Sequence, residues 1–255
     1  VIDSHCHLDF PDFDNDLDSV IAASLAQGVK RFMLPGTEVS RWHRQYSVAQ
    51  RYPEVDLALG LHPYFLHLQP NDAFEQLQRQ FEAVQPSVLA VGEIGLDATV
   101  KMPAREQEHW LERQLLLAKD CGLPVILHHR KTQDRLLSII RKTGFDQGGV
   151  VHAFSGSEQV ANAFIEKGFL LGIGGTITYA RAAKTRHTIS RLALQHLLLE
   201  TDAPDMPMCG RQGQRNSPEF LSQVVSSLSQ LSGVEEQEII RQTTDNYCRL
   251  FRVLR

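Results

Sequence analysis

Cysteine is scarce and scattered in this sequence: Cys6, Cys121, Cys209 and Cys248 form no CxxC pair and no closely spaced framework. That excludes a dithiol redox motif and a disulfide-stapled scaffold, and it predicts reduced thiols in a cytoplasmic protein. Nowhere do roughly 18 apolar residues run together, and no signal-peptide pattern is present, which argues against membrane spanning and secretion. Excess positive charge is missing too: 26 Lys and Arg stand against 30 Asp and Glu, a formal net charge of −4. A surface built to wrap long duplex DNA is not expected, although a local basic rim can still hold a few phosphates. Low-complexity tracts and fixed-period repeats are also lacking.

What is present is a regular series of short apolar runs. Val1-Ile2, residues 31–34, 55–61, 88–91, 125–127, 149–151, 169–173 and 196–199 read as buried strands. Stretches with helical spacing lie between them. Leu17, Val20, Ile21, Ser24 and Leu25 can form one apolar face, as can Phe74, Leu77, Phe81 and Val84. The clearest helix is expected from Pro103 to Cys121, with Glu106 and Glu108 near its positive end and Gly122 to stop it. Residues 218–231 and 234–250 read as closing helices. Eight strands alternating with helices predict an α/β fold, a (β/α)8 TIM barrel, formed as one domain over residues 1–255. A doubly wound open sheet is the alternative, because periodicity does not show closure. The longest irregular piece, residues 203–217, follows the eighth run and is expected to lie across the barrel mouth.

Polar side chains able to bind metal recur where these runs end. His5 and His7 are two residues apart, so an extended strand points both to one face, where neutral imidazoles can share a divalent cation. Asp3 points the same way and is read as an orienting group. Glu93 follows residues 88–92 and is a carboxylate able to bridge two cations. His128 and His129 follow residues 125–127 on opposite faces, so one of them is expected to meet the centre. His152 follows Val150-Val151 in the same manner. Asp202 is read as a ligand and proton acceptor, and Glu200 as a structural partner. In a barrel such strand ends converge. Four histidines and two carboxylates suffice for two divalent cations, with zinc, manganese or magnesium as candidates, and imply a metal-dependent hydrolase.

Several segments then fall into an ordered set: residues 2–9 (IDSHCHLD), 60–63 (GLHP), 92–97 (GEIGLD), 123–128 (LPVILH), 152–156 (HAFSG) and 200–204 (ETDAP). In this order they resemble the TatD-type metal-dependent deoxyribonuclease family, within the amidohydrolase-like barrels, along almost the whole chain. The resemblance implies His5, His7, Glu93 and Asp202 around one cation, and Glu93, His128 and His152 around the other. It also implies hydrolysis of phosphodiester bonds in single-stranded DNA or at DNA ends. Ala98-Thr99-Val100, Ala153 and Asp205-Met206 depart from the family's usual residues at those places.

On that reading Asp202 and Glu93 are the catalytic carboxylates, and His62, Arg130, Arg215 and Tyr179 are candidate substrate contacts. Arg181, Lys184, Arg186 and Arg211 are further candidates for a basic rim. Tyr179 can stack on a base. The expected partner is DNA or a small phosphodiester, bound by a monomer with no stable protein partner and no membrane. A small amide, lactone or ester is the alternative substrate, because the same cations polarise a carbonyl.

Overall fold

The computed structural model describes residues 1–82 and 88–254. Eight strands follow one another: β1 (Ile2–Asp3), β2 (Arg31–Leu34), β3 (Val55–Leu59), β4 (Val88–Asp97), β5 (Val125–Arg130), β6 (Gly149–Val151), β7 (Phe169–Ile173) and β8 (Leu197–Leu199). Each pairs in parallel with the next, in the order of the chain. Beyond the ladders, the Ser4 amide donates to the Leu199 carbonyl and the Asp202 amide to that of His5, both at 2.9 Å. These bonds join the last strand to the first, so the sheet forms a nearly closed barrel instead of an open doubly wound sheet.

The helices among the described residues are α1 (Leu17–Ala26), α2 (Val39–Arg51), α3 (Ala73–Glu82), α4 (Ala104–Cys121), α5 (Gln133–Thr143), α6 (Glu158–Ile165), α7 (Ala183–Ile189), α8 (Leu221–Ser232) and α9 (Glu236–Phe251). In α4, Leu111, Leu115 and Ala118 are buried. The helix stops at Gly122, whose φ of 64° is left-handed and suits a residue without a Cβ. In α1 the buried face is Leu17, Val20, Ile21 and Ser24, while Leu25 is exposed. Val84, expected on the face of α3, lies outside the described residues.

Strand alternation divides the core in two. Ile2, Met33, Ala58, Ala90, Ile126, Val150, Leu170 and Leu198, one from each strand, pack together inside the barrel with Tyr247 and Phe251 of α9. Their neighbours Phe32, Leu34, Leu57, Leu127, Val151, Leu171 and Leu199 join the layer beneath the helices. This parity sets the mouth. Two residues beyond Ile126, Val150 and Leu198 come His128, His152 and Glu200, and four beyond Ala58 and Leu198 come His62 and Asp202.

Two strands differ from expectation. β1 ends at Asp3, so His5 and His7 follow the strand and do not lie within it. β4 continues to Asp97, and Glu93 sits at a register irregularity between Val91 and Ile94. There the Glu93 amide donates to the Gly36 carbonyl at 2.7 Å. The irregularity breaks alternation and sends Glu93, three residues after inward-facing Ala90, to the barrel axis.

Candidate metal centre

At the C-terminal end of the barrel a cavity of about 340 Å³ is lined by His7, His62, Glu93, Asp97, His128, Arg130, His152, Asp202 and Asp205, with Phe10, Thr37, Tyr64 and Phe65. Two larger cavities, each about 560 Å³, open at the opposite end, beside Lys30 and Arg31 and beside His196 and Arg249. Neither holds a convergent set of carboxylates and imidazoles. Chemistry is therefore placed in the smaller cavity, at the end where barrel enzymes carry their sites.

Glu93 is the hub. Its Oε2 lies 3.2 Å from His5 Nε2 and 3.5 Å from His7 Nε2. Those two ring nitrogens are 3.3 Å apart, and Asp202 Oδ1 is 3.6 and 3.7 Å from them. The other oxygen, Oε1, lies 2.9 Å from His128 Nδ1, 3.2 Å from His62 Nε2 and 3.3 Å from His152 Nε2. One carboxylate thus faces two separate groups of imidazoles.

Carboxylates orient these rings from behind. His128 Nε2 lies 3.3 Å from Asp97 Oδ2, and His152 Nδ1 lies 3.2 Å from Glu200 Oε1. Glu200 Oε1 also accepts the Ala153 amide at 2.6 Å. Its Oε2 fills the space over Gly172, where a Cβ would stand 2.1 Å away, so only glycine leaves room for the carboxylate. Asp3 accepts from the Thr201 amide at 3.0 Å and the Thr201 hydroxyl at 2.6 Å, tying the end of β1 to the end of β8.

Burial dominates the electrostatics. It lowers His5 and His62, takes His7 well below its ordinary value and brings His152 down to about 4, so these rings are neutral at neutral pH. Burial opposes ionisation of Glu93, but the surrounding imidazoles outweigh it and hold the carboxyl well below the usual range. Burial likewise opposes charge on His128, yet hydrogen bonds to Asp97 and Glu93 push it up to about 9. Desolvation, then the negative charges of Glu93 and Glu200, raise Asp202 well above an ordinary aspartate.

These residues fit a cation. His152 Nδ1 faces Glu200 Oε1, and a proton held on Nδ1 leaves the Nε2 lone pair toward the Glu93 oxygen; the Nε2 atoms of His5 and His7 crowd that carboxylate too. Among the described residues no hydrogen-bond partner meets the buried Nδ1 atoms of His5 and His7, which makes ring reversal no remedy. Neutral imidazole with carboxylate is a donor set for zinc and other first-row ions. At pH 7 His128 carries two ring protons, so metal uptake should release about one proton per chain. Calorimetric titration in two buffers of different ionisation enthalpy measures it. Identical heats in both would contradict these protonation states.

Not every expected contact reaches the cavity. Arg130 lines it. Arg215 instead donates to both carboxylate oxygens of Asp16, at 2.8 and 2.6 Å, and to the Asp12 carbonyl at 2.5 Å, with its guanidinium 4.7 Å from the Phe13 ring. It pins the last loop to the segment before α1. Tyr179 donates its hydroxyl to the Pro207 carbonyl at 2.7 Å and lines a separate cavity of about 300 Å³ with Arg181 and Met206. Arg186 donates to the Ile177 carbonyl, and Arg211 lies 3.6 Å over the Phe220 ring. Conversely, Asp97, Tyr64 and Phe65 line the metal cavity, where residue pattern alone assigns them no role; Asp97 reaches it because β4 continues past Val91.

Similarity to known proteins agrees with this geometry. The family model described as TatD related DNase matches residues 2–252. This chain belongs to the TatD family. It is 44% identical to an uncharacterized metal-dependent hydrolase of Escherichia coli, YjjV, over 99% of this chain and 98% of the relative. The crystal structure of that TatD homologue superposes with a TM-score of 0.95, covering 99% of this chain and 98% of the other. The human protein named deoxyribonuclease TATDN3 is 30% identical over 100% of this chain and 96% of its own length. The chain is accordingly a metal-dependent hydrolase of the TatD type, and no helix among the described residues is long and apolar enough to cross a membrane.

Proposed function

We propose that this TatD-family member is a phosphodiester hydrolase, a deoxyribonuclease acting on single-stranded DNA or DNA ends with two divalent cations. The observation that carries the proposal is the placement of the two Glu93 oxygens between two groups of imidazoles. His5, His7 and Asp202 with Oε2 would hold one ion, and His128 and His152 with Oε1 the other. When bound, such ions supply Lewis acidity to the electrophile and acidity to an attacking water. Zinc fits the donor set best, and manganese or magnesium can serve in activity.

The protein's own groups do the rest. Asp202, with a side chain 15% exposed at the cavity, is the proton acceptor for the attacking water. Asp97 and Glu200 hold the rings of His128 and His152 in their tautomers. Arg130 offers a cation to a phosphate, and exposed Tyr64, 5.0 Å from the Phe65 ring, offers a stacking face to a base. The family description and the name of the human relative support DNA as the substrate class. The reading also places the protein in the cytoplasm, acting as a monomer.

A small carboxylic ester, lactone or amide is the second reading. It is favoured by the cavity's lining, where among the described residues Arg130 is the one arginine or lysine and Asp97, Asp202 and Asp205 are acidic. The deciding experiment offers metal-loaded protein a short single-stranded DNA, bis(p-nitrophenyl) phosphate and a panel of carboxylic esters, lactones and amides. Cleavage of both phosphodiesters, lost with a chelator and restored by zinc or manganese, is expected. Turnover confined to the carbonyl compounds would replace the first reading with the second.

A further inference from the structure

His62 sits among the candidate ligands, and its distance to Glu93 and His128 alone would count it as one. Its hydrogen bonds say otherwise. His62 Nδ1 lies 3.0 Å from the backbone nitrogen of Tyr64, which can only donate. Nδ1 is therefore an acceptor without a proton. A neutral imidazole carries its single proton on the other nitrogen, so Nε2 is the donor. The second contact is compatible with that tautomer: Nε2 faces Glu93 Oε1 at 3.2 Å, where an N–H can donate. The Tyr64 amide, which cannot accept, decides the tautomer.

The contrast with His152 is direct. Its Nδ1 faces the Glu200 carboxylate, to which a ring N–H can donate, and a proton held there leaves the Nε2 lone pair free toward Glu93. His62 has the opposite arrangement. A ring nitrogen that carries a proton has no lone pair for a cation, and freeing it would cost the part-buried bond to the Tyr64 amide. His62 is only 8% exposed, and it lines the same cavity as the metal-capable side chains. Its N–H is thus aimed into the site and held in place before any ligand arrives.

We propose that His62 is a catalytic N–H donor and not a metal ligand: its Nε2 proton bonds a nonbridging oxygen of the bound phosphodiester. The substrate part of this statement rests on the phosphodiesterase reading above. A preorganised donor of this kind stabilises negative charge gathering on that oxygen, an effect of about 10²-fold in rate.

The test compares His62→Ala and His62→Gln with the parent, since a glutamine amide can present an N–H at similar reach. Zinc affinity is measured by chelator competition, inorganic phosphate binding to the zinc-loaded proteins by calorimetry, and the ring tautomer of His62 by 15N NMR. Zinc affinity should be unchanged in both variants, and the NMR signal should show a proton on Nε2 alone. Phosphate affinity should fall about 10-fold in His62→Ala, with recovery in His62→Gln. The rate on bis(p-nitrophenyl) phosphate should follow the same order. A fall in zinc affinity of about 100-fold or more in His62→Ala, beyond an indirect effect, would make His62 a ligand and overturn the proposal. So would a proton on Nδ1, or equal phosphate binding in all three proteins. A parent unable to cleave the diester would remove the substrate reading alone, with zinc, phosphate and NMR still deciding the role of the ring.

Discussion

Replacing Glu93 by glutamine is expected to cut hydrolysis by about 10³-fold or more, because charge stabilisation worth several kcal/mol passes through this side chain. The carboxylate is the one group whose two oxygens face both sets of imidazoles, His5 and His7 on one side and His128, His62 and His152 on the other. Glutamine keeps the shape but removes the charge, and it turns one oxygen into an amide that only donates. Donors would then face the lone pairs of neighbouring rings, so metal uptake should fall with activity. Metal content by elemental analysis and kcat/KM on a chromogenic diester measure both effects. A variant that retained full metal loading and parental kcat/KM would show that Glu93 is not the hub described here.

The second large effect is expected from Asp202→Asn. Loss of the proton acceptor should lower kcat by about 10²–10⁴-fold, the range for a positioned general base. Asp202 also stands 3.6 Å from His5 and 3.7 Å from His7, so metal affinity should weaken as well. The two contributions separate when rates are compared at matched metal content. A residual defect of that size at full loading supports the proton-accepting role. Recovery of the parental rate on adding excess metal would reduce Asp202 to a ligand. The side chain follows β8 where the backbone is left-handed, with φ of 60°, and its amide is held by the His5 carbonyl at 2.9 Å. Its carboxylate is thus placed by bonds that an asparagine would not disturb.

Much of this arrangement was legible in the order of residues. Short apolar runs separated by amphipathic stretches specify alternating strands and helices, and eight such units favour a closed barrel. Strand parity did the same for the site. Once Ile126 and Val150 face inward, His128 and His152 must point to the same axis further along, as long as the backbone keeps its period of two. Residue chemistry and position supplied the candidates and the family resemblance chose among them; His7, Glu93, His128, His152 and Asp202 line one cavity, and His5 lies 3.2 Å from Glu93.

Parity failed where the backbone departs from it. His5 and His7 follow a strand of only two residues, and Glu93 reaches the axis through a register shift between β4 and β5. Arg215 was placed at the mouth by loop position, yet its charge is taken by Asp16, 199 residues away in the chain. Tyr179 is likewise held by a carbonyl of another loop, and the tautomer of His62 depends on the direction of the Tyr64 amide. The sequence by itself determined the alternation of eight strands with helices and the kinds of side chain gathered where the strands end, because burial and alternation are properties of short stretches. Only the tertiary structure decided which charges stay free and which ring nitrogens carry protons, because hydrogen bonds and ion pairs depend on partners that folding brings together from distant parts of the chain.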